Sequence, residues 1–203
     1  GWVLAVGHVG VFNGLLRGAG LDGERLPALR DRVESKDPAG VREALAGSSL
    51  PPATAQALEQ LTAMAGGPSV LEEAARACAG FPAAATAVDE LRAVTSALDA
   101  AGLGGHLAVD LAEVRGLDYY TGLVFRVFAP DLGFEIGGGG RYDTLLARFG
   151  RPLPAVGFML GLDRVAVLLE RQGVAGPSLH APAARVHGDD LGAALADARS
   201  RRA

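Results

Sequence analysis

Five side chains in the second half of this chain have the types and spacing to do chemistry: Arg115, Tyr119, Tyr120, Tyr142 and Arg164. A guanidinium can fork onto a carboxylate or a phosphate. A tyrosine hydroxyl donates or accepts a hydrogen bond while its ring walls a cavity. Leaving such groups unpaired is expensive, so a pocket built from them discriminates among small polar ligands. Between the tyrosines runs Gly137-Gly138-Gly139-Gly140, followed by Arg141-Tyr142-Asp143. The run lacks the Lys-Ser/Thr ending of a phosphate loop. On a sheet, glycines leave a flat floor against which a ligand can lie, and Gly138, Gly139 and Gly140 are the candidate pocket floor. Each feature alone is ordinary: a glycine run is a turn, paired tyrosines are core or surface, an arginine at a helix start is a surface cation. Their order at short spacing is what singles them out.

The elements that must position these groups follow from hydrophobic period. Residues 1–6 read as a short strand and 8–20 as a helix with Val11, Leu15 and Leu16 inward. From 22 to 104 the pattern is helical and alanine-rich, with Leu26, Leu29 and Val33 at helical spacing and a break at Asp37-Pro38. Helices are expected over 39–46, from Pro51-Pro52 through Met64, and through Val88, Leu91, Val94 and Leu98. Ser69 with Glu72 forms a candidate capping box. At Gly105 the period changes to two: Leu107, Val109 and Leu111 alternate with Ala108, Asp110 and Ala112. A second strand is expected over 119–128, with Leu123, Phe125 and Val127 on one face and Tyr120, Gly122, Val124 and Arg126 on the other. Phe134-Glu135-Ile136 reads as a third strand, 143–149 as a helix, 155–160 as a fourth strand and 161–172 as a helix. Strands gathered after a helical block predict an α+β fold, an antiparallel sheet flanked by helices. The expected organisation is a core fragment at 1–21, a helical insertion at 22–104, a core at 105–172 and a charged C-terminal tail at 173–203.

The 203 residues suffice for one domain or a domain with a helical appendage. A formal net charge of −4 gives no overall field to attract nucleic acid. Cys78 is the single cysteine, so an internal disulfide is impossible and a reducing cytoplasm is the expected location. Within a helical stretch, it reads as a small buried hydrophobe. No stretch approaches the roughly 20 apolar residues that cross a bilayer, and no membrane partner is expected. The chain opens on a strand without an initiator Met, so a fragment of a longer protein is expected.

Three motifs carry a family resemblance: Arg115-Gly116-Leu117-Asp118-Tyr119-Tyr120-Thr121-Gly122, Gly137 to Asp143, and Ala155-Val156-Gly157-Phe158-Met159-Leu160-Gly161-Leu162-Asp163-Arg164. Together they resemble the two histidine-specific motifs of histidyl-tRNA synthetases, followed by motif 3 of the class II aminoacyl-tRNA synthetases. The resemblance spans 105–172 strongly and 1–20 more loosely; the helical block matches in position and length. It implies a class II catalytic-core-like fold, here partial, in which Arg115, Tyr119, Tyr120 and Tyr142 hold histidine and Arg164 marks an ATP-site-like position.

Fold does not decide function. Gly7-His8-Val9-Gly10-Val11-Phe12, Arg126 after Leu123-Val124-Phe125, the 128–134 connection and Asp163 are similar to a non-catalytic branch of the family, the regulatory subunits of ATP phosphoribosyltransferase. Alone, His8 reads as a capping or core residue. The short tail after Gln172 fits the same branch, having no room for an anticodon-binding domain. What that branch implies is histidine as ligand without a cofactor, no catalytic residue and no metal. Its partners would be the short-form catalytic subunit of ATP phosphoribosyltransferase and a second copy of itself. The alternative is a histidyl-tRNA synthetase, which would activate histidine with ATP and magnesium; a scaffold with a dead pocket is a third reading.

Overall fold

The computed structural model describes residues 1–17, 21, 25–114, 119–130 and 132–174. Contact clustering divides the chain into Gly1–Leu168 and Leu169–Ala203. In the second unit the Val174 N–H closes on the Leu169 carbonyl at 2.9 Å, ending the last helix. All that follows concerns the first.

Strand β1 (Val3–His8) leads directly into helix α1 (Val9–Leu16). The helical block comprises α2 (Arg25–Glu34), α3 (Pro38–Leu45), α4 (Pro52–Leu61), α5 (Val70–Cys78) and α6 (Pro82–Leu98), with a two-residue strand β2 (Ala65–Gly66) between α4 and α5. Three of these helices begin with proline in the first turn, where its missing N–H has no intrahelical partner to lose. Asp37 caps α3 by accepting the Gly40 N–H at 2.8 Å. The expected Ser69–Glu72 capping box does not form. Ser69 already has helical dihedrals and its side chain makes no cap bond, because the turn starts at Gly67, whose carbonyl accepts the Val70 N–H.

After a tight turn with Gly102 at φ 81°, the chain forms β3 (Leu107–Asp110), β4 (Leu123–Phe128), β5 (Glu135–Arg141) and β6 (Val156–Leu160), then α7 (Leu162–Arg171). The six strands lie in the order β2-β3-β1-β4-β5-β6. The sheet is mixed, which corrects the purely antiparallel expectation: β1 and β3 pair in parallel, while the other neighbours are antiparallel. The long helical excursion from α1 to α6 returns the chain to the end at which β1 began, and only such a crossover permits parallel pairing. Two further expectations are trimmed. The second strand starts at Leu123, leaving Tyr119 and Tyr120 in the preceding turn, and the helix expected over 143–149 is one 3₁₀ turn, Leu146–Phe149, ended by Gly150 at φ 82°.

One core joins sheet and helices: Val6, Phe12, Leu29, Val33, Leu58, Leu61, Leu91 and Val109 are all essentially sealed from solvent. Cys78 is buried within it and its thiol is pushed up to about 11 by burial, an inert packing residue. A smaller cluster of Ala129, Leu132 and Ile136 is covered by Val127 and Leu168. No described helix is long and apolar enough to cross a membrane.

His8 links these parts. Its Nδ1 accepts the Gly10 N–H at 3.0 Å, capping α1, which leaves Nε2 to carry the ring proton toward Glu90 on α6 at 3.1 Å. Burial holds its pKa below the ordinary 6.5, although Glu90 pulls the other way. Protonation would place a hydrogen on Nδ1, where the cap needs a lone pair. The sign follows: with the folded value depressed, the unfolded chain takes the proton first as pH falls, so this contribution is complete above 6.5 and is lost below it. The melting temperature should therefore drop more between about pH 7.5 and pH 5 in the parent than in His8→Asn, which keeps a capping acceptor without a titrating ring. Parallel thermal melts check this; equal acid sensitivity would refute it. Packing offers a second test. A Cβ on Gly14 would sit 2.4 Å from the Ala84 backbone nitrogen where α1 crosses α6. Gly14→Ala should cost about 1–3 kcal/mol and lower Tm by roughly 2–10 °C.

Candidate functional site

Strand alternation sorts the sheet into two faces. In register across β1, β4, β5 and β6, Gly7 stands beside Val124, Val124 beside Gly140, and Gly140 beside Gly157. The next row on that face is Ala5, Arg126, Gly138 and Met159. Glycine or alanine holds five of the eight positions on this face, which spans about 14 Å or three strand spacings. The tyrosines gather over its β5–β6 side. A Cβ on Gly140 would lie 2.9 Å from Tyr120 Cε1, and one on Gly157 would lie 2.4 Å from the Tyr142 hydroxyl. Both rings occupy space that only glycine leaves free. Ring centroids are 4.7 Å apart for Tyr119–Tyr120, 5.5 Å for Tyr119–Tyr142 and 6.3 Å for Tyr120–Tyr142, the last two in edge-on or tilted contact.

The turn that presents Tyr119 and Tyr120 is fastened on both sides. The Thr121 N–H donates to the Arg141 carbonyl at 2.9 Å, and Thr121 Oγ1 accepts the Asp143 N–H at 2.9 Å. The Gly122 carbonyl accepts the Val9 N–H at 3.1 Å, tying the turn to α1. Tyr142 is set by its own N–H, which donates to Ala155 at 2.8 Å. Burial, a hydrogen bond with Tyr119 and the neighbouring phenols push the Tyr120 hydroxyl up to about 12.

The remaining expected residues separate. Gly138 and Gly140 belong to the tyrosine face, whereas Gly139 alternates to the opposite one, where its missing Cβ would meet Phe158. Arg115, with Gly116, Leu117 and Asp118, lies outside the described residues. Arg164 is placed at the other end of β5. Its guanidinium donates to the Glu135 carbonyl at 2.7 Å and lies 5.7 Å from the centre of the Phe134 ring. Glu135 and Arg141 end a seven-residue strand, so the tyrosine and Arg164 ends are roughly 20 Å apart.

Between those ends is a charged group that sequence reasoning missed. Arg126 donates to Glu113 at 2.5 Å and also faces Glu135 at 3.5 Å and Glu34 at 3.9 Å. Burial raises the Glu113 pKa, opposed by Arg126. Glu113 crosses above Gly7, whose Cβ would lie 2.9 Å from its own. Arg126 on the tyrosine face was the available signal; its partners come from α2, the segment after β3 and β5, which no local pattern brings together. On the opposite face, His8, Glu90, Val94, Phe125, Val156 and Phe158 line a cavity of about 600 Å³, away from the tyrosine rings. Among the described residues no group of His, Cys, Asp and Glu could hold a metal ion.

Three phenols gathered over one end of this face could meet a small polar ligand, and comparison with known proteins gives the chain a family. The family model described as histidyl-tRNA synthetase matches residues 1–165. An ATP phosphoribosyltransferase regulatory subunit of Moorella thermoacetica is 43% identical over 199 residues, covering 98% of this chain and 50% of that protein. One from Desulforamulus reducens is 42% identical over 168 residues, covering 83% and 42% respectively. A solved structure described as an ATP phosphoribosyltransferase regulatory subunit/histidyl-tRNA synthetase from Bacillus halodurans C is similar at a TM-score of 0.71 and 32% identity, over 83% of this chain and 44% of that one. The chain therefore spans half or less of the length of these relatives. The matched model, the sheet and the ordered motifs agree: this chain belongs to the histidyl-tRNA synthetase family, with its class II synthetase-like core.

Proposed function

We propose that the chain is part of a regulatory subunit of ATP phosphoribosyltransferase that senses histidine and makes or breaks no bond itself. The observation that carries this reading is the 43% identity to a protein of that name across 98% of the chain. The site's chemistry supports it. A tyrosine hydroxyl can donate to or accept from a ring nitrogen of histidine, and Tyr119, Tyr120 and Tyr142 stand together over one end of the sheet face. Arg115 is assigned the ligand's carboxylate. Histidine is the ligand and no cofactor is invoked.

In this reading the short-form catalytic subunit is the partner, a second copy of the chain pairs through the synthetase-like core, and the assembly works in the cytoplasm. Histidine shifts the equilibrium between conformations, and the coupling is reciprocal: partner and substrates must alter histidine affinity by the same factor that histidine alters theirs. The synthetase reading retains one supporting feature, the presence of Arg115 at its motif position. Histidine-dependent pyrophosphate exchange distinguishes the two, and its appearance would displace the regulatory reading.

Co-purification with a short phosphoribosyltransferase subunit tests the partner. Calorimetry on the intact protein tests the pocket: Tyr120→Phe, Tyr142→Phe and Arg115→Ala should each weaken histidine binding by about tenfold or more, the cost of an unmet buried polar group. Gly157→Ala is the sharper variant. Its new methyl meets the free end of Tyr142, so binding should fall while the melting temperature stays close to that of the parent. Unchanged affinity in all four would remove the assignment.

A further inference from the structure

Glu135 holds two cations at once. Its Oε2 faces Arg126 Nε at 3.5 Å and its Oε1 faces an Arg164 terminal nitrogen at 3.6 Å. Each carboxylate oxygen thus serves one guanidinium, the arrangement by which a phosphate bridges two arginines. Both contacts exceed hydrogen-bond length, and Glu135 and Arg164 are each 37% exposed, so they are Coulombic contacts at a wet surface. Neither arginine is left to look outward. Arg126 is already matched by Glu113, with Glu34 beyond it, and Arg164 is steered by the Glu135 carbonyl and the Phe134 ring. Each guanidinium therefore already faces a carboxylate, so an incoming polyanion meets cations whose charge is matched.

We propose that Glu135 is a tethered anion that occupies the position of a phosphate between Arg126 and Arg164, so that this end of the sheet face rejects polyphosphates, nucleoside triphosphates among them. The distribution of charge identifies the residue that matters. Arg126 keeps Glu113 whatever happens at position 135, whereas Arg164 has Glu135 as its only carboxylate among the described ion pairs. Neutralising Glu135 would leave the Arg164 guanidinium with the neutral Glu135 carbonyl and the Phe134 ring and with no carboxylate among the described ion pairs. Polyphosphate exclusion is independent of what the tyrosine end binds.

The test is calorimetry of the intact protein with inorganic tripolyphosphate and, separately, with magnesium-ATP. Glu135→Gln is expected to bind both about tenfold more tightly than the parent, a gain that shrinks as salt rises. Adding Arg164→Ala to Glu135→Gln should return affinity to the parent level. Glu135→Asp, which withdraws the same charge by one methylene, should fall between parent and Glu135→Gln and gives a second arm with the charge preserved. Equal binding by parent and both single variants overturns the proposal, as does a gain that survives loss of Arg164, or no measurable binding by any of them. Histidine titrated into the same proteins reads the tyrosine end separately, so failure of either reading is seen without the other.

Discussion

A run of glycines in a central strand weakens it, since each glycine gives up backbone freedom and offers nothing to pack. Such a strand persists where neighbouring groups need the vacated space. That is the condition of β5, and the rest of the site depends on it. Toward one face Tyr120 lies above Gly140 and Arg126 beside Gly138; toward the other, Phe158 packs beside Gly139 and Leu160 beside Gly137. Any larger residue would have to displace an aromatic ring, a guanidinium or the backbone of an adjacent strand. The glycines thus permit bulky groups to close over the sheet from both sides.

Holding those groups in place requires the crossover. The parallel pairing of β1 with β3 brings Gly7 and Asp110 to the same end of the sheet, and Glu113 then reaches across Gly7 to Arg126. The lysine at position 36 is drawn in as well: it takes up φ 55° after α2 and pairs with Asp110 at 2.8 Å. The helical block is therefore joined to the site face through charged contacts from Glu34 and Lys36, besides sharing the hydrophobic core with β1.

Much of this was legible in the residues. Period-two alternation located β3 and β4, and proline with helical spacing located α2, α3, α4 and α6, because burial of a repeating face is a local property of the chain. The tyrosine cluster was legible through the motif order. What stayed hidden has a common cause. The parallel β1–β3 pair, the two-residue β2 and the carboxylates around Arg126 all depend on contacts between segments distant in sequence. Ser69 with Glu72 misled because the spacing of a capping box says nothing of where the turn begins. Gly139 was grouped with its neighbours as floor, although pleating must turn every second residue away.

The charged end of this sheet face holds Arg164, a residue retained from motif 3. An arginine in its motif position suggests a preserved catalytic function only if its guanidinium is free to meet substrate. Arg164 instead spends its donors on Glu135 and its face on Phe134. A half-exposed ion pair of this kind contributes little to stability, generally within about 1 kcal/mol. Its larger effect is on the local field, because it cancels a charge that a phosphate would otherwise seek. The tyrosine end differs in kind, presenting phenol hydroxyls in place of charged groups. Recognition without activation, as proposed for this chain, would need both a neutral cage toward an amino acid and a self-neutralised surface toward a nucleotide.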